Sequence, residues 1–171
     1  MRQIFQNLPW VQPAVPPVIA SLYERRGVLQ KVKRNQVLKA GGDNPKSFLL
    51  VRGLCVYRIA SLSLIPPGRS MCDISAAVDE RVNVETVAWR DCVVYAMPPR
   101  TLSEEMSKDP AFGKAVLADV TAKEESYIEG MVANFTLDPQ FRLRTLFKVL
   151  ITSYGIPLRD DWTVIPLLLN N

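Results

Sequence analysis

The 171-residue chain contains no histidine. That absence excludes histidine-ligated haem, most zinc enzymes, histidine-dependent nucleophilic triads and imidazole acid–base chemistry. Cysteine is scarce: Cys55, Cys72 and Cys92 are an odd, widely spaced set that fits neither a disulfide framework nor a zinc pattern. Cys55 and Cys92 stand in apolar runs and read as small buried hydrophobes, whereas Cys72 sits in loop-like sequence. No stretch approaches the ~18 apolar residues of a membrane span. The start, MRQIFQNLPW, lacks the apolar core and cleavage site of a signal peptide, so a cytoplasmic, reduced location is expected. Paired carboxylates such as Asp79-Glu80 and Glu124-Glu125 have no accompanying base, nucleophile or phosphate loop and read as solvated surface. No catalytic residue, metal ligand or enzyme activity is expected.

What remains is an ordinary globular composition, 48% hydrophobic and 22% charged, with a net charge of +4 and a pI near 9.1. A chain of this size buries roughly 68–70% of its unfolded surface and needs no covalent staples. The mild basic surplus is compatible with a nucleic-acid partner and is weak evidence for one.

The hydrophobic period changes twice along the chain. Val15–Arg26 opens with prolines suited to a first helical turn, carries Val18, Ile19, Leu22 and Tyr23 at helical spacing, and ends at Gly27. From about 28 to 98 the pattern is short β: VLQKVKR, QVLKA, SFLLVRG, LCVYRIA, VNVETVAW and CVVYAM. Gly41-Gly42-Asp43-Asn44-Pro45, Arg52-Gly53 and Pro66-Pro67-Gly68 punctuate these runs, as in a β-sandwich or barrel. LCVYRIA alternates imperfectly, which predicts burial on both faces of some strands.

Helical patterning then returns. PRTLSEEMSKD reads as a short helix, and about 110–136 as one long helix of roughly 40 Å. Leu117, Val120, Ile128, Met131 and Phe135 are its candidate seam, with Thr121 and Glu124 interrupting the apolar stripe. A helix that long with one such stripe is expected to pack on something outside its own small domain, the alternative being packing along its own β domain. After Leu137, Asp138 reads as the N-cap and Pro139 as the first residue of another helix. That helix presents Leu143, Leu146, Phe147 and Leu150 and stops at Gly155. The tail to Asn171 is apolar.

This order of parts resembles the Crp/Fnr family of bacterial transcription regulators. VLKAGGDNPKSFLLVRGLCVYRI is similar to the family's first strands, PPGRSMCDIS to the start of its phosphate-binding cassette, and LDPQFRLRTLFKVL to its hinge and first DNA-domain helix. The resemblance implies an α+β fold: a cyclic-nucleotide-binding-like β-roll (a jelly roll, or double-stranded β-helix) with its N-terminal helix over 1–109. A dimerisation helix follows over 110–137, then the beginning of a winged helix-turn-helix over 138–171. It implies a homodimer through 110–136 and DNA as partner, read by a C-terminal part that is expected to lie outside this chain, which is then a fragment of a longer regulator.

The cassette departs from the nucleotide-binding pattern. The glycine-glutamate pair that approaches the ribose corresponds to Cys72-Asp73, the phosphate-binding arginine falls near Val82-Asn83 with Arg81 adjacent, and the base-contacting hydroxyl positions correspond to Tyr127 and Ile128. Loss of a bidentate guanidinium contact removes the strong part of such a site. The resemblance therefore implies a sensor that does not bind cyclic AMP, whose degenerate pocket retains Arg69, Cys72, Asp73, Arg81, Asn83 and Tyr127. A stand-alone small-ligand binding module on the same roll is the alternative. No cofactor is implied: iron–sulfur relatives use clustered N-terminal cysteines, and none precedes Cys55.

Overall fold

A computed structural model of the chain describes residues 9–39, 46–58, 62–65, 67–71, 85–157 and 163–164. Eight short strands form two four-stranded antiparallel sheets. They are β1 (Val28–Val32), β2 (Val37–Lys39), β3 (Ser47–Arg52), β4 (Cys55–Arg58), β5 (Leu62–Ile65), β6 (Ser70–Met71), β7 (Glu85–Ala88) and β8 (Cys92–Met97). One sheet has the order β1-β8-β3-β6 and the other β2-β7-β4-β5, the alternating connectivity of a jelly roll. In register, Val28 faces Ala96, Phe48 faces both Ala96 and Met71, and Cys55 faces Ala88.

The core between the sheets follows from residue alternation. Phe48 and Leu50 of β3 point inward to meet Val32, Leu38, Cys55, Ile65, Cys92 and Val94. Leu49 points the other way, into a second cluster with Ile19, Leu22, Tyr23, Met97, Phe112 and Val116. β3 is thus buried on both faces along Ser47–Leu50. Leu54, Cys55 and Val56 are also buried in succession, which accounts for the poor alternation of LCVYRIA. Where β3 leaves the sheet, a bulge after Leu50 shifts its register against β8. Gly53 follows with φ +109°, and a Cβ there would lie 2.5 Å from Cys92 Sγ, so only glycine fits the turn.

The second cluster joins the roll to its helices. They are α1 (Pro17–Arg26), α2 (Arg100–Lys108), α3 (Pro110–Thr136) and α4 (Pro139–Tyr154). Tyr23 hydroxyl and Ser47 Oγ share a buried hydrogen bond that locks α1 to β3. Helix α3 is continuous over 27 residues. Asp109 caps it by accepting from the Ala111 N–H at 2.8 Å, and Pro110 supplies its first position. Helix α3 stops where Pro139 disfavours helical backbone at Asp138. Leu137 and Asp138 are both extended, and Asp138 then accepts from the Gln140 and Phe141 N–H groups to start α4. Arg142 Nη1 reaches back across this two-residue break to Asn134 O at 3.4 Å.

On α4 the expected apolar face is only partly covered. Val149 and Leu150 are buried, but Leu143 and Phe147 face solvent among the described residues. The inward side of α4 is set by its last two turns, and the Leu143–Phe147 stripe runs off it. A two-stranded antiparallel pair, β9 (Ile156–Pro157) with β10 (Thr163–Val164), follows α4.

Candidate functional site

At 100° per residue, α3 has two distinct sides. Phe112, Val116, Asp119, Ser126, Gly130 and Ala133 are buried on one. Leu117, Ile128 and Phe135 lie opposite and are 64%, 57% and 86% exposed. Val120 and Met131 flank that outer stripe and are half-buried, while Val132, which the sequence reading did not single out, is exposed beside it.

The inner side carries an unexpected polar cluster. Asp119 and Lys123, one turn apart, form a salt bridge, with side-chain exposures of only 5% and 12%. Ser70 Oγ on β6 donates to Asp119 Oδ2 at 3.2 Å, and Lys123 Nζ donates to Ser70 Oγ. Asp119 Oδ1 is buried with no hydrogen-bond partner among the described residues. A small cavity bounded by Ile19, Tyr23, Leu102, Val116 and Asp119 adjoins the cluster. Its sequence signal was an acid followed four residues later by a base on the same side as Val116 and Ser126, the apolar side rather than the wet one.

Beside it, residues 10–15 strap the roll to α3. Trp10 packs on Gly130, where an added Cβ would be 3.1 Å from its ring. The Val11 carbonyl accepts from Ser126 Oγ at 2.8 Å. The Gln12 carbonyl accepts from Arg69 Nε at 3.0 Å, and the Val15 N–H donates to Gly68 O at 3.1 Å. Trp10 itself has φ +64°, a rare conformation for a bulky residue that costs on the order of 1 kcal/mol and is held by this docking.

Of the expected pocket residues, Arg69 is half-buried and two of its guanidinium nitrogens donate to main chain, Nε to Gln12 and Nη1 to Pro67 at 2.8 Å. Tyr127 is half-buried on α3. Cys72, Asp73, Arg81 and Asn83 lie outside the described residues, as do Asp79 and Glu80. The structure therefore brings Ser70, three positions before Asp73, onto the helix, while Arg69 anchors the strap. Cys55 and Cys92 are both buried, as their apolar surroundings implied, with sulfurs 3.7 Å apart. The hydrogen bond between them, then burial, pushes the Cys55 thiol up; the same bond lowers Cys92 to about 7 against its own burial.

No protein-family model matches the sequence, and no curated protein matches it. Solved structures do match in shape. A cyclic nucleotide-binding domain containing protein from Listeria monocytogenes EGD-e superposes with a TM-score of 0.63 at 15% identity, covering 90% of this chain and 78% of that one. The fold is a cyclic-nucleotide-binding-like β-roll with a long helix. Two Crp/Fnr regulators share this β-roll fold. FixK2 from Bradyrhizobium japonicum gives 0.63 at 13% identity over 76% of this chain and 68% of its own. A CooA mutant from Carboxydothermus hydrogenoformans gives 0.62 at 12% over 87% and 72%. Within this β-roll, no cluster of three or more potential metal-ligating Cys, Asp or Glu side chains occurs among the described residues. None of the described helices is long and apolar enough to cross a membrane.

Proposed function

We propose that this chain is the sensing and dimerisation part of a Crp/Fnr-like transcription regulator of the bacterial cytoplasm, a binding protein rather than an enzyme. The observation that carries the reading is the two-sided α3: one side is spent on its own β-roll, while Leu117, Ile128 and Phe135 form an uncovered stripe on the other. Two copies related by a two-fold axis bury that stripe against itself, with Val120 and Met131 at its margin. Leu137, Asp138 and Pro139 then act as the hinge, and α4 with the β9–β10 pair begins a helix-turn-helix domain that reads DNA.

An effector works on such a device by binding one hinge state more tightly than the other. The residues nearest a ligand are Arg69, Cys72, Asp73, Arg81, Asn83 and Tyr127. With Cys72-Asp73 in place of a glycine-glutamate pair, and Arg69 engaged by main-chain carbonyls, the pocket does not hold cyclic AMP. The similarity in fold to the Crp/Fnr regulators FixK2 and CooA supports this reading. Sedimentation of the whole chain at micromolar concentration tests it: the wild type sediments as a dimer and Phe135→Ala shifts it toward monomer. A monomeric wild type, or a dimer indifferent to Phe135→Ala, refutes the pairing. Titration calorimetry with cyclic AMP and cyclic GMP is expected to show no micromolar binding, and clear heats overturn the view of the pocket.

A further inference from the structure

Cys55 and Cys92 are the first residues of β4 and β8, in opposed sheets, and meet inside the roll's buried core. Their sulfurs, 3.7 Å apart, need to close to about 2.05 Å to bond. Bridges of this inter-sheet kind are compatible with antiparallel sandwiches. Cys92 is 3% exposed, and its Sγ sits against Arg90 O at 3.0 Å and Leu54 O at 3.4 Å. Gly53 lies over its sulfur with no side chain, and a Cβ at that position would stand 2.5 Å from Sγ. The residue before Cys92 is the exposed turn residue Asp91. Of the two sulfurs, that of Cys92 is therefore the nearer to the surface of the roll.

We propose that Cys55 and Cys92 are a reversible oxidation site that closes to a disulfide, stapling the two sheets of the roll when hydrogen peroxide is present. The pair is asymmetric in position: Cys92 is 3% exposed and follows the exposed Asp91, whereas Cys55 is fully enclosed, so Cys92 is the nucleophile and Cys55 the resolving thiol. Cys92 thiolate attacks one peroxide oxygen, the O–O bond breaks, and the leaving oxygen departs as water after taking a proton. The product is a sulfenic acid. Cys55 then gives up its proton, and its sulfur displaces the sulfenic oxygen, which leaves as a second water. Two thiols lose two electrons and two protons, and one peroxide becomes two waters. Thiol reductants reverse the bond by exchange.

The site is independent of the regulator reading. Its test treats the whole chain with one equivalent of hydrogen peroxide and follows free thiols and peptide masses. The expected result is a fall from three free thiols to one, a mass loss of two hydrogens, a peptide linking Cys55 to Cys92, and full recovery with dithiothreitol. Cys72→Ser must give the same linked peptide. The proposal is overturned if three thiols persist, if Cys72 is found in the crosslink, or if Cys92 advances to sulfinic acid unlinked.

Discussion

Replacing Lys123 by methionine isolates the buried ion pair on α3. Methionine keeps most of the apolar stem and removes the charge, so packing is held nearly constant. What is left is the Asp119 carboxylate, 95% buried, with the Ser70 hydroxyl as its remaining donor and Oδ1 with no partner among the described residues. Breaking a buried pair on one side costs about 3–5 kcal/mol, because the orphaned charge keeps its desolvation penalty. Against a stability of about 5–15 kcal/mol for a domain, that is a large fraction. With a urea slope of about 2 kcal/mol per molar, the unfolding midpoint falls by about 1.5–2.5 M. The control removes both charges: Asp119→Leu with Lys123→Met leaves only the Ser70 hydroxyl to satisfy. It recovers most of the loss, since apolar replacement of an entire buried pair is commonly neutral or stabilising. Urea melts of the three proteins decide the matter. A loss below about 1 kcal/mol for Lys123→Met, or a double variant no better than the single, refutes the claim that this pair is desolvated and mutually dependent.

Gly53→Ala is expected to destabilise by about 1–3 kcal/mol in the same melts, because its φ of +109° is unfavourable for alanine and the new Cβ meets Cys92 Sγ and Asp91 O; an unchanged midpoint contradicts the tight turn. Asp91 is held below the usual carboxylate range, first by the Arg34 N–H, at 2.9 Å, and then by Lys33, at 3.2 Å. Its stabilising contribution is therefore present above its unfolded pKa of about 3.9 and is lost as pH falls through the lower folded value. Asp91→Asn is expected to flatten that acid limb, and a parallel pH profile for both proteins shows that the pair is inert.

Local chemistry was the legible part of this molecule. The ends of α3 and α4 follow from Asp109-Pro110 and Asp138-Pro139, where a capping carboxylate and a proline act within one turn. The strand-rich middle and its switch to helical period were equally readable, because alternation and turn residues are short-range signals. Pairing was not readable: Val28 meets Ala96 and Cys55 approaches Cys92 only because the roll closes on itself. The Asp119–Lys123–Ser70 cluster was hidden for the same reason. Nothing in a sequence shows which strand will lie beneath a helix, and an i,i+4 charge pair looks the same in water as in a core. On α4, spacing identified an apolar stripe, but which part of it the fold covers depends on tertiary placement, so Val149 and Leu150 are enclosed while Leu143 and Phe147 are not.

The short length of chain before α1 has a mechanical consequence. It grips the lower half of α3 at Gly130 and Ser126 and, a few residues on, the turn at Gly68 and Arg69 that feeds β6. The rod and that turn are therefore coupled twice, once through Ser70 and once through this splint. The two attachments fall at residues 119–123 and 126–130, so the turn is fastened to the middle of the rod over three successive helical turns, and the stretch beyond Gly130 that leads to Leu137 is held by neither.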